Sequence, residues 1–181
     1  ASLNFVMTGE GTNVTGKGSL SSPALKAYGI SLSNVSLPLA YSGNSFTSNG
    51  GTAKFYGGNL KNSLTFNVDS MKFTDSFEAS GVNLGGLVAD VSKDMKDTIT
   101  GTAALTLNLS GTGANVSAKG TLTLPAFKAY GFSLSSVNLP LSYSGNKFAS
   151  SGGTAKLYGG TLKNSLTFDV NTMKFSDNVD A

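Results

Sequence analysis

Residues 50–73 read GGTAKFYGGNLKNSLTFNVDSMKF, and residues 152–175 read GGTAKLYGGTLKNSLTFDVNTMKF. The second stretch repeats the first 102 positions later. Setting Ala1 against Ala103 extends the match over residues 1–79 and 103–181 without a gap, with about 49 of the 79 positions identical. Only residues 80–102 lack a counterpart. The chain divides on this basis into a first β repeat (1–79), a connector (80–102) and a second β repeat (103–181) continuous with the first. Internal repetition marks stacked or concatenated architectures. A period this long requires several strands in each unit.

Inside each unit the apolar residues recur every second position, the mark of a half-buried strand. Leu3, Phe5 and Met7 share one face, and Leu105, Leu107 and Leu109 repeat it. Val35, Leu37, Leu39 and Tyr41 alternate with Ser36, Pro38, Ala40 and Ser42. Leu60, Leu64, Phe66 and Val68 face away from Lys61, Ser63, Thr65 and Asn67. One face is oily and the other wet, as in an antiparallel sheet with a solvated side. Turn residues punctuate the runs at 42–44, 48–51 and 57–58. The apolar phase slips between Val68 and Met71, which predicts a bulge or turn. Pro38 and Pro140 sit on the wet side of good strands, which predicts a local break in pairing. The connector places Leu84, Leu87, Val88, Val91 and Met95 on one helical face, with Asn83 as N-cap, predicting a short amphipathic helix over about 83–95. The fold class is all-β, two tandem repeats with one helix between them.

Composition narrows the function. Charged residues make up 13% of the chain and hydrophobic ones 39%; the low charge suits an exported β-protein. All thirteen basic residues are lysines, dispersed along the chain. Nucleic-acid interfaces rely on clustered Arg for bidentate contacts, so nucleic acid is not an expected partner. There is no Cys, which removes disulfides and thiolate metal sites and fits a bacterial periplasm. There is no His, which removes the commonest general base and metal ligand. The carboxylates are scattered, and Asp90 and Asp94 read as the wet side of the helix. The glycines of GGTAKFYGG lack the GK[ST] and following helix of a phosphate loop. No cofactor, metal or enzymatic activity is expected.

Three stretches carry a family resemblance: AKFYGGNLK (Ala53–Lys61), GVNLGGLVADV (Gly81–Val91) and TITGTAALTLNLSGTG (Thr98–Gly113). Their order and spacing resemble the C-terminal repeat region of the AsmA-like family of bacterial periplasmic proteins. Asn83 stands where that family usually has Asp, and Gly85-Gly86 interrupts the helix. The resemblance implies a long antiparallel sheet bent into a U, the β-taco. It implies bridge-like phospholipid transport between envelope membranes, contributing to outer-membrane biogenesis. It also implies periplasmic localisation, with this chain a fragment of a protein anchored in the inner membrane.

An oily face must be covered, because each fully buried Leu, Val or Phe is worth roughly 1.5–3 kcal/mol. A second sheet, closure of the sheet on itself, or a bound apolar ligand would each serve. Pattern alone favours a self-sealed core; the resemblance favours an open groove for a phospholipid or other acyl-chain lipid. The candidate groove residues are Leu3, Phe5, Met7, Leu37, Leu39, Leu64, Phe66, Leu105, Leu107, Leu109, Leu139, Leu141, Leu166 and Phe168. A structural or interaction module of the envelope, serving outer-membrane protein assembly or acting as an adhesin-type repeat, is the alternative. Free sheet edges would also permit edge-to-edge homo-association.

Overall fold

The computed structural model describes residues 1–27, 30–91 and 98–181. The first repeat supplies β1 (Ser2–Glu10), β2 (Asn13–Ala27), β3 (Ile30–Ser42), β4 (Ser45–Phe55), β5 (Gly58–Asn67) and β6 (Lys72–Asn83). A short helix, α1 (Leu84–Val91), follows. The second repeat supplies β7 (Ile99–Thr112), β8 (Asn115–Ala129), β9 (Phe132–Ser144), β10 (Lys147–Leu157), β11 (Gly160–Asp169) and β12 (Lys174–Asp180). All twelve strands form one antiparallel sheet in chain order, and that sheet is open, with β1 and β12 as its edges. The unmatched segment 80–102 thus contains the end of β6, α1 and the start of β7.

Local sequence explains the hairpins. Gly43-Asn44, Tyr56-Gly57 and Tyr158-Gly159 all have positive φ at both positions. Such two-residue turns match the right-handed twist of the strands they join. Tyr is an unusual choice for the first position, and alternation gives no hint of it. The phase slip after Val68 is the turn between β5 and β6. The Gly-rich stretch 48–51, expected to be a turn, lies inside β4. There Gly50 (φ 82°) is the extra residue of a bulge between Asn49 and Gly51. Pairing of β3 with β4 lapses between Ser36 and Ala40, and that of β9 with β10 between Asn138 and Ser142. Those lapses accommodate Pro38 and Pro140, which have no N–H to give to a ladder.

These irregularities fall in one band, a few residues wide, across the strands. In β3 the apolar positions change parity across Asn34 (φ 51°), in β4 across Gly50, in β6 across Gly81 and in β9 across Ser136. The buried residues Val35, Ala53, Ala79, Val82, Ala103, Leu124, Val137 and Ala155 lie along that same line. It is a crease at which strand after strand bends. Bulges bend a strand and re-aim its side chains, and residues as small as Ala let the backbone fold tightly over the line. On either side of it rise two walls, and both pack toward the crease. Phe127 and Leu134 from the short wall touch the same buried cluster as Leu105 and Leu139 from the long wall. At the first edge, the rings of Phe5 on β1 and Phe46 on β4 approach to 6.5 Å between centroids. In a flat sheet those strands stand about 14 Å apart.

Helix α1 begins where the sequence places it. The Asn83 side chain accepts a hydrogen bond from the Gly86 N–H at 3.2 Å, capping the first turn. Leu84 packs on the buried cluster and Leu87 and Val88 are half-buried. The remainder of the expected helix, through Met95, falls outside the described residues. The helix spans from β7 to β3 across the rim of the short wall. Tyr56 donates to Asp90 at 2.8 Å, and the Ser31 hydroxyl donates to the same carboxylate oxygen at 3.4 Å.

Candidate functional site: an apolar trough

Cross-strand partners share a face of the sheet, so the register fixes which side chains line the trough. The pairs Leu3–Leu20, Leu20–Leu37, Gly18–Leu39 and Met7–Gly16 put the first candidates on one face. Phe46–Phe66, Phe66–Phe73, Phe77–Leu107 and Leu107–Gly120 carry that face into the second repeat. Leu122–Leu139, Gly120–Leu141, Ser150–Leu166 and Phe148–Phe168 complete it. All fourteen sequence candidates fall on this concave face, on the long wall. None is buried: Leu3 and Met7 are exposed and the other twelve are half-buried.

Alternation missed two sets of lining residues. Phe73 and Phe77 sit on the long wall beside the candidates. Leu32, Phe55, Phe127 and Leu134 form the short wall. Each has the opposite parity to the long-wall residues of its own strand: Leu32 to Leu37, Phe55 to Phe46, Phe127 to Leu122 and Leu134 to Leu139. Only a bend within the strand brings both sets inside, and the available signal was the parity slip between Leu134 and Val137.

No second layer among the described residues covers the trough. The accessible surface is 11408 Å², whereas a compact globular protein of this mass exposes about 8,200 Å². The excess is what an open, single-layered sheet exposes. Two of the three covers open to the sequence are therefore absent among the described residues: there is no second sheet, and the sheet does not close.

The charge distribution divides the faces. Lys54, Lys61, Lys119, Lys156 and Lys163 pair across strands with polar residues on the convex face, where Lys17 also lies, between Val6 and Ala40. Among the described strand residues, the only charged side chains on the concave face are Asp75 and Asp177, in matching places. Each accepts a hydrogen bond from an Asn side chain at 2.5 Å, Asn62 for Asp75 and Asn164 for Asp177. Partial burial beside Leu64 and Leu109 raises the pKa of Asp75 above the usual carboxylate value, and the Asn62 hydrogen bond opposes part of that rise. A carboxyl that is harder to ionise in the folded chain stabilises folding below its unfolded pKa of 3.8. That contribution fades as pH rises through the higher folded value. Asp75→Asn keeps the acceptor for Asn62. It is expected to raise the urea midpoint at neutral pH more than at pH 3; an equal shift at both would show the carboxyl titrating as in solvent.

Two further polar groups lie under the apolar lining. Ser48 and Ser150 are 5% and 3% exposed, and neither hydroxyl has a hydrogen-bond partner. An unsatisfied buried hydroxyl costs about 1–3 kcal/mol. Ser48→Ala and Ser150→Ala are each expected to stabilise the chain by about 1 kcal/mol, additively, because they lie in different repeats. A fall in the denaturation midpoint would mean the hydroxyls are hydrogen-bonded in solution.

The ends of the trough differ between repeats. Around Tyr56 the helix closes the short wall, and Gly86 lets the helix backbone approach that ring: a Cβ there would stand 3.3 Å from it. In the second repeat the matching Tyr158 is 86% exposed. It borders a cavity of about 250 Å³ lined by Phe127, Leu134 and Lys156. A cavity of about 1000 Å³ lies at the hairpin ends of β6–β9 among Thr74, Ser110, Ser117 and Asn146. Its lining is largely that of the wet face and is not built for an acyl chain. No group of three or more acidic side chains that would hold a metal occurs among the described residues, and no helix among them is long and apolar enough to cross a membrane. No protein-family model, curated protein or solved structure matches the chain.

Proposed function

We propose that this chain is a non-enzymatic lipid-conducting module of the AsmA-like type. In this reading its trough holds acyl chains and passes phospholipid across the periplasm, contributing to outer-membrane biogenesis. The observation that carries the reading is a concave apolar face that crosses twelve strands with no second layer over it. Eleven strand spacings make the trough about 50 Å long, longer than any single acyl chain, so it is a track. Head groups would stay in water along the open side, since burying a charged phosphate without a partner costs several kcal/mol. Among the described residues the floor offers lipid no cation, because the lysines of the strands lie on the convex face. That favours contact with tails over recognition of one particular head group.

The chain has no Trp, so a single introduced Trp is a clean reporter. With Leu141→Trp in the trough and Thr106→Trp on the convex face, phospholipid brominated along its acyl chains is expected to quench the first and spare the second. Solvent extraction of protein purified from a bacterial envelope should release phospholipid, and the protein should move labelled phospholipid between liposomes. Equal quenching at both positions, no extracted lipid and no transfer would together overturn the reading.

A structural envelope module is the second reading, and the free edges β1 and β12 favour it. Crosslinking in cells that captures outer-membrane barrel proteins and no lipid would select it.

A further inference from the structure

The seam between the two repeats is a template for a contact the chain has not made. β7 is the second-repeat copy of β1, and β12 is the copy of β6. β6 and β7 pair as Phe73–Gly111, Thr74–Ser110, Asp75–Leu109 and Phe77–Leu107. Shifting each residue by the repeat period turns this ladder into Phe175–Gly9, Ser176–Thr8, Asp177–Met7 and Val179–Phe5, between the two edge strands of the described sheet.

We propose that β12 of one chain pairs antiparallel with β1 of a second copy in this register, joining the two troughs into one. Three observations carry it. First, the faces agree: Phe175, Asp177 and Val179 line the trough on β12, as Gly9, Met7 and Phe5 do on β1. Second, an aromatic socket stands empty at each edge. At the internal seam the Phe73 ring lies over Gly111, so close that a Cβ on that glycine would be 2.6 Å from it. Gly9 repeats Gly111, but the atoms nearest to it are backbone atoms of Asn13 and Val14 in place of a ring, and Phe175 repeats Phe73 while remaining 75% exposed. Third, the wet-face pair Lys174–Glu10 juxtaposes opposite charges where the internal seam has Lys72–Thr112. Exposed edges commonly carry charges that discourage pairing; here the two are complementary. The contact is head-to-tail, so each added copy leaves a fresh β1 and β12, and growth continues past the dimer until the array ends or closes into a ring. It rests on register and repetition alone and stands or falls apart from lipid carriage.

The absence of Cys makes the test direct. Thr8→Cys chains are mixed in equal amounts with Ser176→Cys chains and oxidised, and the products are counted by mass. Cross-strand neighbours stand about 4.5–5.5 Å apart between Cα atoms, within disulfide range. The mixed 8–176 dimer is expected to exceed either homodimer at least tenfold. It should also exceed the dimer from Val6→Cys with Ser176→Cys, which is two residues out of register on the same face. Phe175→Ala is expected to lower the yield several-fold, and unmodified protein should grow in sedimentation coefficient with concentration past the dimer. A monomer at every concentration, or cross-links indifferent to register, would overturn the proposal. So would a discrete symmetric dimer linked 176–176.

Discussion

Leu107→Asp combined with Leu141→Asp is expected to leave the sheet folded and to abolish lipid binding and transfer, a loss of at least a hundredfold. Both side chains flank Gly120, on β7 and β9, so the two carboxylates face each other across one bare strand. Neither leucine packs on the buried cluster at the crease, and both are half-exposed already, so folding loses little. An acyl chain crossing that point would have to strip water from two charges, at a cost of several kcal/mol, and each 1.4 kcal/mol is tenfold in affinity. The matching change on the outside, Thr106→Asp with Thr121→Asp, adds the same charge to the convex face and should leave transfer intact. If the inner pair transfers lipid as well as the outer pair, the trough is not the path. If both fail, charge alone is responsible.

How far such reasoning could be carried from the residues alone depended on which periodicity was at work. Alternation along β1, β3, β5 and β7 is clean beyond the crease, so Leu3, Leu37, Leu64, Leu107 and their copies could be assigned to one face without coordinates. The repeat fixed the correspondence of strands, and Asn83 announced the helix start. What alternation hides is a bend within a strand. At Asn34, Gly50, Gly81 and Ser136 the chain inserts or twists one residue, and the apolar side chains beyond change parity while staying on the same face. Read as two-residue periodicity, Leu32, Phe55, Phe127 and Leu134 point the wrong way. The signals are individually small: an Asn or Ser at positive φ, or a glycine amid other glycines. Their meaning comes from alignment across neighbouring strands, which requires the register. Whether the trough was covered also lay beyond the sequence, since an oily face looks the same whether sealed or open.

The bent sheet also makes Gly120→Val the most destabilising single change expected away from the crease, and it separates the interior of the sheet from its edge. A Cβ at Gly120 would lie 2.0 Å from the Thr106 carbonyl oxygen and 3.0 Å from the Leu107 Cα. Both belong to β7, which is paired with β6 on its other side and cannot move away. Relief requires breaking the β7–β8 ladder on the long wall. A loss of about 3 kcal/mol or more is expected, read as a fall in the urea midpoint with transfer lost in proportion. Gly18, the first-repeat copy, meets a similar obstacle: its Cβ would stand 2.1 Å from the Asn4 carbonyl oxygen. Asn4, however, lies on β1, which is held on one side only. That edge strand can peel back, so Gly18→Val should cost well under half as much in the isolated chain. The two glycines thus make a pair of probes with nearly the same local clash and different strand support. Equal losses would mean that β1 is as firmly held as β7, which in a monomer the open sheet does not provide. In a head-to-tail array β1 has a second neighbour. The Gly18→Val penalty should then rise toward that of Gly120→Val as protein concentration increases.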